Sequence, residues 1–184
     1  MRLPFAVLLV IALSSLGCSE PIVGVRLRFP SERTFLITNT ITVDVYDGEG
    51  TGAQSPDAIC RALSVTTSVA PAGVQALQSS GNTSACQLLD GGVSFTGVDV
   101  GRRVFFAEAV DAAGAAILRG CTVADVFGDA QPLEAEDQEL AGALGASALV
   151  DVQLATLPSY PEEQIPSCAD VAAKCGEENQ PCFD

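Results

Sequence analysis

Seven cysteines and twenty-three carboxylates are the side chains of this 184-residue chain with chemistry to offer, and there is no histidine to work with them. Without an imidazole, Ser-His-Asp and Cys-His nucleophile systems are excluded, and so are the commonest catalytic zinc shells. The carboxylates group in three places. Asp44, Asp47 and Glu49 close an alternating stretch beside glycines and could lend oxygens to calcium, but their spacing is not that of an EF-hand loop. An acidic turn accounts for them equally well. Glu108 lies in one apolar stretch and Arg119 in the next, so Glu108 reads either as a catalytic carboxylate or as half of a solvent-facing ion pair. Glu134, Glu136, Asp137 and Glu139 form a run that reads as a solvated face. Two acids across a cleft would suit glycoside hydrolysis, yet chance pairs are inevitable among so many. Tryptophan is absent and there are two tyrosines, Tyr46 and Tyr160, which is little for stacking sugars or bases. Asn82-Thr83-Ser84 has the form of a glycosylation acceptor. No catalytic residue, metal site or cofactor is expected from this set.

The thiols begin at Cys18, which closes a distinct segment. Met1 and Arg2 supply a positive start, Leu3 to Leu13 an apolar run, and Ser14-Ser15-Leu16-Gly17 a small-residue exit. That is the form of a secretory signal peptide, and the apolar run is far short of the ~20 residues a spanning helix needs. Gly17-Cys18 at the exit resembles the lipobox of bacterial lipoproteins, although the leucine, Leu16, stands two residues before the cysteine where the usual box has it three before. The resemblance implies cleavage before Cys18 and a diacylglyceryl group on its sulfur, making residues 1–17 a signal peptide and 18–20 a lipidated N-terminus with a short tether. Ser19 in place of aspartate implies, by similarity to enteric sorting, the outer membrane. With eight arginines and one lysine, the chain's general look is similar to uncharacterised lipoproteins of myxobacteria.

Setting Cys18 aside leaves six thiols: Cys60, Cys86 and Cys121 in the body, and Cys168, Cys175 and Cys182 near the C-terminus. They contain no CxxC pair, and an even set in an exported chain reads as disulfides. Fifteen pairings are open. Because three lie on each side, complete pairing requires at least one bond between tail and body. Ser167 to Asp170 resembles a capping box and Cys175-Gly176 a helix end. Cys168 and Cys175 would then stand about 10 Å apart along a helix, beyond the ~7 Å a disulfide allows, so neither should bond the other.

The elements that must position these groups are mostly strands. Val23, Val25, Leu27 and Phe29 alternate with Gly24, Arg26 and Arg28, and Ile41, Val43 and Val45 alternate with Thr42, Asp44 and Tyr46. Phe35 to Ile37 reads as a short extended piece. Ser55-Pro56-Asp57 announces a helix carrying Ile59, Cys60 and Leu63. Residues 64–92 are poorly determined. Arg103 to Val110 and Ala115 to Cys121 flank the turn Asp111 to Gly114 as a hairpin. Pairing Val110 with Ala115 puts Glu108 opposite Ile117, makes Glu108 and Arg119 diagonal neighbours outside, and turns Phe105, Ala107, Ala109 and Leu118 inward. A last strand shows Ala148, Val150, Val152 and Leu154 on one face. Seven or eight such strands predict an all-β fold, an antiparallel sandwich over residues 21–158 that looks like an immunoglobulin-like domain without its tryptophan, followed by a disulfide-tied tail at 159–184 containing a short helix.

Removing residues 1–17 takes away one basic residue, Arg2, and no acid, so the net charge moves from −14 to −15. Such a chain is repelled by nucleic acid and by anionic membrane surfaces, so membrane contact must come from lipid. The expectation is a non-catalytic envelope lipoprotein with a protein partner and no nucleic-acid role. The alternative is a small hydrolase using carboxylates or a metal.

Overall fold

The structure, a computed structural model, describes residues 21–65, 68–128, 133–160 and 165. In chain order the elements are β1 (Ile22–Arg28), α1 (Glu32–Ile37), β2 (Thr40–Asp47), a 3-10 turn (Gly52–Gln54), α2 (Pro56–Ser64), β3 (Ala76–Ser79), β4 (Thr83–Ser84), α3 (Ala85–Gly91), β5 (Val93–Thr96), β6 (Gly101–Val110), β7 (Ala116–Val126), α4 (Ala135–Leu144), β8 (Ala148–Gln153) and β9 (Ala155–Thr156). Strands dominate and form two sheets. One has the order β5-β1-β8; the other runs β3-β2-β6-β7-β9, with β4 also on β2. Among the described residues every pairing is antiparallel except that of β1 with β8.

Side-chain alternation explains why the sheets meet. Val23 and Val25 of β1, Val150 and Val152 of β8, Ile41, Val43 and Val45 of β2, and Phe105 and Ala107 of β6 share one buried core. The residues from Ala148 to Leu157 serve both sheets. β8 lies beside β1 in parallel register, Leu154 N–H still donates to the Arg28 carbonyl at 2.9 Å, and three residues later Leu157 N–H donates to Ile117 at the rim of β7. Gly120 makes this crossing possible, because a Cβ there would lie 2.4 Å from the Gln153 carbonyl oxygen. On the other side, Gln78 of β3 donates to the carbonyls of Thr96 and Gly97, at 3.0 and 3.2 Å, tying the two sheets beyond the edge of β5.

Helices cover the outer faces. α2 starts as its sequence requires, with the Ser55 hydroxyl accepting from Ala58 N–H and Pro56 in the first turn. Ile59 and Leu63, four apart on one stripe, pack on Tyr46, Val104 and Phe106 to form a second core. The face of β6 and β7 expected to meet water is therefore half covered. Two short helices replace expected or undetermined segments. Ser31 and Thr34 form a reciprocal capping box, which folds Glu32–Ile37 into α1 where an extended piece was expected. Ser84 and Gln87 do the same for α3. The acidic run from Glu134 lies in α4 and its approach.

The hairpin differs from the expected register by a β-bulge between Ala109 and Val110. Asp111 accepts from Ala113 N–H and Ala115 N–H through one carboxylate oxygen, and its own N–H donates to Ala115. Ala115 thus belongs to the turn, Val110 pairs with Ala116, and Glu108 stands directly opposite Arg119. Phe105, Ala107, Ala109 and Leu118 do face the first core, and the bulge brings Ile117 into it as well. Gly120→Ala should destabilise the fold by about 1–3 kcal/mol in urea unfolding, since strand and side chain cannot occupy the same space; an unchanged midpoint would contradict the crossing described.

Candidate functional site

The thiols expected to pair are partly placed. Cys60 in the middle of α2 and Cys121 on β7 form a disulfide with Cα atoms 5.5 Å apart. Cys86, in the first turn of α3, is also disulfide-bonded. Cys60 and Cys121 hold each other, so the partner of Cys86 is outside the described residues. Cys18, Cys168, Cys175 and Cys182 are outside them too.

Beside the Cys60–Cys121 bond lies a cleft of about 350 Å³ between α2 and the β7–β9 edge. α2 contributes Cys60, Arg61 and Ser64; β7 contributes Arg119, Gly120 and Cys121; the crossing strand supplies its far wall from Gln153 to Pro158. No described aspartate or glutamate lines it, in a chain that carries 23 of them. Arg119 is only 7% exposed and fully engaged: Nε donates to Glu108 Oε2 at 2.7 Å, Nη2 lies 2.6 Å from the same oxygen, and Nη1 donates to the Val65 carbonyl that ends α2. Arg119 is thus held beneath the helix end, while Glu108 keeps part of its surface in water. Arg61 lines the cleft and is exposed, with no ion-pair partner among the described residues.

The other candidate carboxylates do not converge. Asp47 accepts from Glu49 N–H and from Arg103, both at 3.1 Å, while Glu49 accepts from Arg102 N–H at 2.7 Å. Asp44 points its charge at Tyr46, whose phenol is pushed up to about 12 by burial first, then by Asp44 and Glu108. Among the described residues no three Asp, Glu or Cys side chains gather as a metal site would need. Arg103 is buried, spends its terminal nitrogens on Asp47 and the carbonyls of Arg102 and Val100, and leaves Nε without a partner among the described residues. Asn82 is exposed and accepts from the Thr42 hydroxyl.

A second carboxylate pair is held by an arginine. Arg26 of β1 meets Asp151, its register partner on β8, in a bidentate contact, and Nη1 reaches Asp137 of α4 at 2.6 Å. The hydrogen bonds from Arg26 hold the Asp151 carboxyl below its usual range against the opposing effect of burial, with Arg28 adding a smaller pull. The guanidinium lies between the two acids, so neither has an unshared charge for acid–base work.

No family model, curated protein or solved structure matches the chain. The site therefore stands on its own geometry. Sequence reasoning named the two cysteines, Glu108 and Arg119, but it assigned Arg61 no role. The signal was present in principle: Arg119 and Cys121 share a strand face, and Arg61 follows Cys60. Only the identity of the disulfide joins them.

Two measurements check these contacts. Glu108→Gln should cost about 2 kcal/mol, less than the 3–5 kcal/mol of a fully buried broken pair because Glu108 remains part-exposed, and Glu108→Gln with Arg119→Met should recover most of it. Equal losses in single and double variants by urea unfolding would show the pair carries no such charge penalty. For Asp151, a lowered folded value means its stabilisation is complete above about pH 4, where the unfolded carboxyl is ionised, and is lost as pH falls through the folded value. Asp151→Asn should therefore lower stability at pH 7 and converge with the parent as pH falls well below the range in which the unfolded carboxyl titrates; a gap that stays constant as pH falls would refute the assignment.

Proposed function

We propose that this chain is a lipid-anchored envelope protein of the outer membrane whose immunoglobulin-like sandwich is a non-catalytic binding module for a protein partner. One observation carries the reading: Cys18 closes an apolar leader of eleven residues at a small-residue exit. Cysteine pairing supports it. With Cys60 and Cys121 joined and Cys86 bonded to an outside thiol, a tail of three cysteines can satisfy Cys86 and close one further bond, which leaves Cys18 as the thiol free for lipid. In this reading the tail is tied to α3.

The two-sheet core supports a sandwich, and the described pairings are antiparallel as expected save that of the first and eighth strands, whose parallel register departs from the wholly antiparallel arrangement expected. Binding is favoured over hydrolysis by the cleft itself. Two carboxylates facing each other across a substrate would be needed for the hydrolase alternative, and no described acid lines this cleft.

The test is cell fractionation of the parent and Cys18→Ala chains, with a disulfide map of the purified parent. The parent should stay with membranes through a high-salt wash, and Cys18→Ala should leave them or accumulate unprocessed. The map should join Cys86 to one of Cys168, Cys175 and Cys182. A Cys18→Ala chain processed and retained like the parent, or Cys86 bonded to Cys18, would overturn the reading. In-cell crosslinking then identifies the partner.

A further inference from the structure

We propose that the cleft between α2 and the β7–β9 edge binds a small monocarboxylate with an apolar body, gripped by the Arg61 guanidinium. The inference deepens the binding-module reading and rests on it. Four observations point the same way.

The first is charge. Nine basic residues face 23 acidic ones over the chain, yet two arginines and no described acid line this cleft. Among the described lining residues the sign of the chain's charge is reversed. The second is which arginine is available. Arg119 has its donors committed to Glu108 and the Val65 carbonyl, so it forms a fixed wall. Arg61 has neither an ion pair nor a hydrogen bond to another described residue, although Asp57 stands one helical turn before it. Its place in the last turn of α2 suits the helix dipole, which explains a basic residue at that position but not the lack of an acid among the described residues that line the cleft with it.

The third is stoichiometry of charge. Glu108 already neutralises Arg119, leaving one uncompensated positive charge among the described lining residues, that of Arg61. A carboxylate matches it one to one, and the planar guanidinium can donate to both oxygens. A phosphate dianion would leave a second negative charge inside a molecule whose net charge is −14. The fourth is the lining beyond the arginine. Ala155, Leu157, Pro158 and the disulfide give an apolar wall, with Ser64 and Thr156 as flanking hydroxyls. At about 350 Å³ the cleft is at the small end of ligand sites, roughly 300–1,000 Å³. It fits a compact acid, not a polymer.

The experiment is a nuclear magnetic resonance titration of the full chain in detergent with hexanoate, hexanol and inorganic phosphate. Hexanoate should move the amide signals of Arg61, Gly120, Cys121 and Thr156, and bind at least about tenfold more tightly than hexanol or phosphate, the order expected of a charge-assisted bidentate contact. Arg61→Gln, at an exposed position that should not disturb folding, should weaken hexanoate by at least about tenfold. Arg102→Gln, removing another arginine without a described ion pair and remote from the cleft, should leave it unchanged. Absence of shifts at about 10 mM hexanoate, equal binding to the Arg61→Gln chain, or tighter binding of phosphate would overturn the proposal. These outcomes are independent of the Cys18→Ala fractionation and of the crosslinked partner, so the carboxylate site can fail while the anchored binding module stands.

Discussion

α2 lies across the outer face of the large sheet, and its apolar stripe meets Val104, Phe106 and Tyr46 through Ile59 and Leu63. Each of those aliphatic side chains contributes roughly 1.5–3 kcal/mol when taken out of water. The Cys60–Cys121 bond, spanning a sequence separation of 61, adds about 4 kcal/mol by restricting the unfolded chain in the loop-entropy account. Burial and covalent closure are thus comparable, and both act on the same helix. That docking has two structural effects: the carbonyl at the helix end lands on Arg119, already opposite Glu108 by register, and the space left between helix and sheet edge becomes the cleft.

The second dependence is on a residue with no side chain. β8 and β9 are one length of chain that changes sheets, and it passes so close to β7 that Gly120 is the only size that fits at the crossing. The Thr122 hydroxyl donates to the Asp151 carbonyl two residues earlier along that strand, and the Arg26 cluster pins the strand on its other side to β1 and α4. The far wall of the cleft is consequently backbone hydrogen-bonded to both sheets, and the near wall is a helix joined to β7 by a disulfide.

Strands with strict alternation were legible in the sequence. β1, β2 and the face of β6 and β7 toward the first core follow directly from period-two burial, and Ser55-Pro56 marked the start of α2. Short helices were not, because six residues in α1 and seven in α3 are too few to display a 3.6 period. Their capping pairs, Ser31 with Thr34 and Ser84 with Gln87, were the readable signals. The hairpin register failed for a different reason: a bulge is decided by how Asp111 folds the turn onto its own amides, a local choice that hydrophobic pattern does not encode. Likewise Val104 and Phe106 were legible as facing away from the first core, but nothing local says that a helix from much earlier in the chain will lie on them. The cleft has no local signature, because it exists only after Cys60 and Cys121 find each other.

The parallel pairing of β1 with β8 sets a direction for the whole molecule. β1 begins at Ile22, four residues past Cys18, and Ser147 N–H meets the Ile22 carbonyl at that same end. Six strand steps later, about 20 Å away, Arg28 stands beside Gln153, where the cleft wall starts. The wall of the cleft and the start of β1 thus lie at opposite ends of the β1–β8 pair.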